Sequence, residues 1–165
     1  MSADSIPKKQ KCLSWVKADA QPFKLTDSAP VVQPTDLSEK EVLIQNYVAG
    51  LNPVDWKMAE NNWGHIKLPS VTGYDISGKV VSVGNSVKQF KVGDEVFGML
   101  SLKTGGGFQQ YSVADEGNIV KKPSSASHEQ AGSLGIAFLS ALDGLQHVKH
   151  KMNDATVFIP GGSGG

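Results

Sequence analysis

Between Ser77 and Met99 the chain reads SGKVVSVGNSVKQFKVGDEVFGM. Two runs rich in β-branched residues, KVVSVG and GDEVFGM, are set off by Gly84-Asn85 and Gly93-Asp94, dipeptides that turn a chain. This punctuation constrains the fold more than any other feature. The 165 residues hold 18 glycines and 8 prolines, which extend it along the chain: many turns, hence many short strands. Lys11–Ala18 and Phe23–Pro30 read as a first hairpin. Glu41–Asn52 (EVLIQNYVAGLN) is the first strong strand, with β-branched and aromatic residues throughout. GGGFQQYSVADEGNIVKKP (Gly105–Pro123) supplies a glycine hinge and two more short strands. Strands at this spacing suggest a partly open β-barrel.

Two helical stretches interrupt the pattern. Asn52-Pro53 is a helix start, with Asn as N-cap, Pro at the first helical position and Asp55 in the first turn; VDWKMAEN then gives one or two turns. From Ser124 the texture changes. Ala131, Leu134, Phe138, Ala141, Leu142 and Leu145 recur at helical spacing, and Ser127 with Gln130 forms a capping box. Gly132, Gly135 and Gly144 lower the helix propensity, so this helix must gain from close packing. A strand is expected over Ala155–Pro160. It runs into a glycine-rich turn, GGSGG, which is how a dinucleotide-binding unit begins. The expected division is a loose leader over residues 1–9, a barrel over 10–126, and over 127–165 a linking helix with the start of an α/β unit.

Charge and cysteine content exclude several classes of function. Lys+Arg and Asp+Glu are 16 each, so no net field steers nucleic acid or an anionic membrane to this chain. The one charged run, Lys8–Lys11, reads as a solvated N-terminal tail. The single cysteine, Cys12, can form neither an internal disulfide nor a thiolate zinc site. There is no apolar stretch of signal-peptide or membrane-span quality, and a cytoplasmic setting is the economical expectation.

Four segments in order, GLNPVDWK (Gly50–Lys57), GYDISGKVVSVGNSVKQFKVGDEVFG (Gly73–Gly98), GGFQQYSV (Gly106–Val113) and FIPGGSGG (Phe158–Gly165), resemble the zinc-independent, zeta-crystallin-like quinone oxidoreductase branch of the medium-chain dehydrogenase/reductase superfamily. The resemblance covers about Cys12 to the last residue. It implies a mainly β architecture with some α: a GroES-like, partly open barrel, a helix, and the first strand of a truncated Rossmann domain. It implies NADPH-dependent reduction of quinones or α,β-unsaturated carbonyls, with NADH not excluded, and a homodimer for the full-length enzyme. The chain by itself is expected to be inactive, because the third glycine of G-x-G-x-x-G would fall at residue 167 and only Gly162 and Gly164 fill the first two places. The barrel–helix face that would pack on a cofactor domain is expected to expose apolar surface and to self-associate. The alternative is a non-enzymatic GroES-like binding or structural module.

Metal catalysis is not expected. Zinc-dependent members of the superfamily carry a Cys where this chain has Asn52, and Gly-His-Glu where it has Gly73-Tyr74-Asp75. The histidines His65, His128, His147 and His150 are scattered. Asn52 has two compatible readings, the cap and, by resemblance, a contact bordering nicotinamide and substrate. Lys57 lies near one turn beyond the cap, where an ammonium can meet a cofactor phosphate or ribose or polarise a carbonyl; an ordinary solvated lysine is the plain reading. Tyr74 is a candidate donor to a substrate carbonyl or a half-buried barrel tyrosine. Asp55 and Asp75 read as structural hydrogen-bonding carboxylates, and Gly73 and Gly78 as sites of close packing or unusual φ. Ser140, where relatives often carry Thr, is by resemblance a contact to the nicotinamide carboxamide. Trp56, Trp63 and Tyr111 are candidates for lining a pocket for flat rings or, more plainly, for core anchors.

Overall fold

The computed structural model of the chain describes residues 6–17, 22–61, 66–103, 105–148, 156–160 and 162. Its elements in chain order are β1 (Lys9–Trp15), β2 (Phe23–Pro30), β3 (Glu41–Gly50), α1 (Pro53–Asn61), β4 (Ser70–Val71), β5 (Asp75–Val83), β6 (Glu95–Met99), β7 (Tyr111–Asp115), β8 (Ile119–Lys121), α2 (His128–Gly132) and α3 (Gly135–Val148). Short 3₁₀ turns at Pro34–Asp36 and Glu116–Asn118 complete the set. The strands form two antiparallel sheets, one ordered β2-β1-β4 and the other β7-β3-β5-β6-β8. Neither closes on itself, so the barrel is partly open.

The larger sheet holds the dry core. Val42, Ile44, Ile76, Val80, Val96 and Leu100 are all buried, and Phe90 from the loop before β6 packs with them. Each such side chain stabilises the fold by roughly 1.5–3 kcal/mol through the apolar area it hides. In β3, Val42, Leu43 and Ile44 are buried in succession, which simple alternation forbids. The register is irregular beside them: Leu43 pairs with Ser82 and Ile44 with Val80, so Val81 is the extra residue of a bulge in β5.

Side chains and one loop lace the two sheets together. Leu13 N–H donates to Phe108 O at 2.9 Å, and Phe108 N–H to Thr72 O at 3.0 Å. The buried Gln10 donates through Nε2 to Pro30 O and Gln109 Oε1, and its Oε1 accepts from Tyr111 N–H. Asn46 Nδ2 donates to Gln109 O at 2.8 Å and to Ser112 Oγ at 2.6 Å. Gly73 is needed where the loop crosses: its φ is +89°, and a Cβ there would lie 2.5 Å from the Phe108 ring.

The structure departs from the sequence expectations in three places. Lys8–Lys11 is no tail: Lys9 opens β1, and the run alternates, with Gln10 turned inward and the lysines exposed. One amide in a sheet ladder outweighs three solvated charges, because the lysine ammonium groups stay in water either way. The helix after Ser124 is two helices, broken at Ser133-Leu134. The capping box at Ser127 and Gln130 is present, but it belongs to the short α2. The strand expected over Ala155–Pro160 is not formed among its described residues, Thr156–Pro160. Val157, Phe158 and Ile159 are 50, 86 and 66% exposed, and a strand pairs only where a neighbour offers its free edge.

Candidate active site at the barrel–helix junction

The segment joining β3 to α1 carries the residues singled out for chemistry. The Asn52 carbonyl accepts from Asp55 N–H at 3.0 Å, as expected at a helix start. The Asp55 carboxylate reaches back, and its Oδ2 accepts from Asn52 N–H at 2.7 Å. This is the reciprocal half of a capping box, made by an aspartate. The Asn52 side-chain amide is committed elsewhere: Nδ2 donates to Asp75 Oδ2 at 2.9 Å. Asp75 opens β5 and is buried. Both of its oxygens also accept from Ile136 N–H, at 2.9 and 3.0 Å, in the first turn of α3. The carboxylates of Asp55 and Asp75 therefore flank Asn52, one on its backbone and one on its side chain.

Burial shifts all three acidic groups here. It pushes the Asp55 carboxyl up to about 6, against the pull of the Asn52 amide and with the charge of Asp75 adding to the rise. The second Asp55 oxygen, Oδ1, is buried and has no hydrogen-bond partner among the described residues. Burial also raises Asp75, opposed by its donors Asn52 and Ile136. The Tyr74 hydroxyl is raised in the same way.

Of the candidate site residues, Asn52 is half-buried at the junction and Lys57 is exposed on α1, its Nζ 5.7 Å from the centroid of the Trp56 ring. Trp56 is itself half exposed. Ser140 is exposed on α3, one helical turn beyond Ile136. Tyr74 is fully buried, and its hydroxyl donates to Met58 Sδ at 3.2 Å. Gly162 lies in a turn, where a Cβ would meet Ile159 at 3.3 Å. Gly164, Trp63, His65 and His150 lie outside the described residues. Tyr111 is not brought to the junction: it lines a separate cleft of about 540 Å³ whose walls include Gln10, Pro30 and Gln109, with no residue from α1.

Two residues along β5 from Asp75, Ser77 Oγ lies 2.7 Å from His128 Nδ1, whose Nε2 lies 3.5 Å from Glu95 Oε1. The Tyr47 ring packs edge-on against the imidazole at 4.7 Å. This histidine fastens α2 to the sheet. Among the described residues, no three His, Cys, Asp or Glu side chains are grouped so as to hold a metal ion.

Sequence reasoning missed the double role of Asp75. One local signal was available. The residue ahead of Gly135 is Leu134, whose carbonyl accepts the first bond of α3 but whose side chain cannot cap. A helix that starts on leucine must borrow its acceptor, and here it comes from 61 residues away.

Comparison with known proteins agrees with this architecture. Residues 38–124 match the alcohol dehydrogenase GroES-like domain. The chain is 34% identical to a 2-methylene-furan-3-one reductase of Solanum lycopersicum, over 98% of this chain and 43% of that protein. It is 32% identical to an NADPH-dependent alkenal/one oxidoreductase, chloroplastic, of Arabidopsis thaliana, over 97% of this chain and 43% of that protein. Among solved structures, the quinone oxidoreductase from Coxiella burnetii superposes with a TM-score of 0.78 at 29% identity, over 86% of this chain and 46% of that one. The chain thus spans less than half the length of these relatives.

Proposed function

The chain belongs to the alcohol dehydrogenase GroES-like domain family, and from that premise we propose that it forms the barrel side of the active site of an NADPH-dependent oxidoreductase. Its substrates are small quinones or α,β-unsaturated carbonyls, reduced by hydride transfer without zinc. The observation that carries this reading is the span of the similarity. Relatives named as alkenal/one and furanone reductases match 97–98% of the chain at 32–34% identity, through α1, the start of β5 and α3 alike.

The residues present fit the nicotinamide end of such a cofactor. When bound, the reduced nicotinamide supplies the hydride. Lys57, exposed on α1, offers an ammonium to a phosphate or ribose oxygen, or to charge developing on a carbonyl oxygen. Ser140 offers a hydroxyl to the carboxamide from the solvent face of α3. Asn52 borders the ring with an amide whose orientation is fixed by its bond to Asp75. For Tyr74 to serve a substrate carbonyl, its hydroxyl must exchange Met58 Sδ, a weak acceptor, for the carbonyl oxygen, a stronger one. Gly162 and Gly164 are proposed as the opening of the phosphate turn. The metal-free reading rests on the donor set: asparagine and tyrosine at Asn52 and Tyr74 are poor zinc ligands at neutral pH.

The test is NADPH consumption, followed by absorbance, for the protein that carries this chain, with a panel of quinones and 2-alkenals and a chelator present. Turnover that survives the chelator and falls in Lys57→Ala supports the proposal. No turnover across the panel, or turnover abolished by the chelator and restored by zinc, contradicts it.

A further inference from the structure

The polar junction holds an arrangement that the proposed reaction does not require. Asp75 is 1% exposed, yet its carboxylate receives both the Asn52 side-chain amide and the Ile136 backbone amide. The surroundings are shaped to let it. A Cβ on Gly135 would lie 2.1 Å from Asp75 Oδ1, and one on Gly50 would lie 2.5 Å from the Gly132 carbonyl oxygen and 3.0 Å from Asp75 Cβ. Gly50 is also the ladder partner of Asp75. Two backbone positions without side chains thus bring the end of β3 and the start of α3 up against one buried carboxylate.

We infer that Asp75 is a positioning residue: it clasps the Asn52 amide and the first turn of α3 to a single carboxylate, so that the two move as one unit. Helix α3 has no capping side chain of its own, and the partial positive charge of its N-terminus is answered by Asp75. The same anion sets the rotamer of Asn52. Ser140 stands one turn along α3 from Ile136, so the clasp fixes the spacing between the two residues proposed to meet the cofactor. The clasp itself stands on the geometry; what it positions rests on the proposed function.

Ionisation strengthens the clasp, since a carboxylate accepts from both donors more strongly than a neutral carboxyl does. The other titratable groups around it are Asp55 on α1, Tyr74 beside it in the chain, and, where α2 meets β5 and β6, His128 with Glu95. Asp55 bonds the Asn52 backbone amide, so its titration must be separated from that of Asp75.

The experiment is an NMR pH titration of the full ¹⁵N-labelled chain. It follows the Ile136 backbone amide and the Asn52 side-chain amide in the wild type and in Asp55→Asn. In Asp55→Asn the two reporters are expected to titrate together, with one shared midpoint above the ordinary aspartate range. In Asp75→Asn the shared titration is expected to vanish. Separate midpoints for the two reporters, or a shared titration that persists in Asp75→Asn, would overturn the inference. If Asp75→Asn does not fold, the wild-type and Asp55→Asn titrations decide the question. No nicotinamide is used, so failure of the proposed function leaves these readouts untouched.

Discussion

The barrel sheet and helix α3 carry side chains of the same kind and treat them in opposite ways. Ile44, Ile76 and Val80 in the sheet are 0% exposed, while Phe138, Leu142 and Leu145 on α3 are 54, 37 and 42% exposed. Hydropathy does not separate the two regions; partners do. The inner strands β3 and β5, which carry these side chains, each lie between two neighbours, whereas α3 packs on β5 and β6 and is exposed from Phe138 onward among the described residues. Between the two lies the Asp55–Asn52–Asp75 junction, where polar groups are buried and largely paired with one another. A chain with these three regions has a sealed interior, a polar seam and a bare helix. Perturbations should therefore cost most in the first and least in the last.

The largest effect belongs to the sheet. Ile44→Ala is expected to lower unfolding free energy by about 2–5 kcal/mol, the usual range for emptying a packed site, measured by urea unfolding. A loss below about 1 kcal/mol would mean that the core is looser than its burial indicates.

The seam comes next. The folded Asp55 carboxyl is raised to about 6 from 3.8, so between those values the folded chain binds a proton that the unfolded chain releases. Stability contributed by this group therefore grows as pH falls through 6, levels off below 3.8, and is absent at pH 7.5. The full shift corresponds to an upper limit of about 3 kcal/mol. Urea unfolding at pH 7.5 and pH 5 is expected to show greater stability at the lower pH, and Asp55→Asn should shrink the difference, leaving the part that the raised Asp75 contributes with the same sign. A wild type that loses stability over that interval would contradict the burial assigned to Asp55.

The α2 cap is smaller still. Ser127→Ala removes one hydroxyl acceptor from the capping box, at a cost of about 1 kcal/mol. Last is the bare helix: Leu145→Ala is expected to change monomer stability by less than about 0.5 kcal/mol. A loss comparable to that of Ile44→Ala would break the comparison, because it would mean that α3 is covered in solution.

What could be read from the sequence follows the same division. Strands bounded by Gly84-Asn85 and Gly93-Asp94 were legible because turn chemistry is local. The Ser127–Gln130 box was legible for the same reason. The roles expected of Asp55 and Asp75 as hydrogen-bonding carboxylates hold, although Asp55 bonds the cap residue rather than the amides of the first turn. The break between α2 and α3 was not legible: helical spacing runs straight across Leu134, and the acceptor that starts α3 lies on β5. Nor was the burial of Tyr74, which depends on Met58 of α1 closing over its hydroxyl. Thr156–Pro160 has the composition of a strand, but composition supplies no neighbouring edge.

The central claim is that Asn52, Lys57 and Ser140 form the cofactor-facing side of this chain. The most direct test is an NADPH titration of the ¹⁵N-labelled chain, following every assigned amide. The account predicts shifts that saturate together and concentrate on Asn52, Lys57 and the first turns of α3 around Ser140, weakened in Lys57→Ala. Shifts gathered instead around the cleft lined by Gln10 and Tyr111, with none at Asn52, Lys57 or α3, would contradict it.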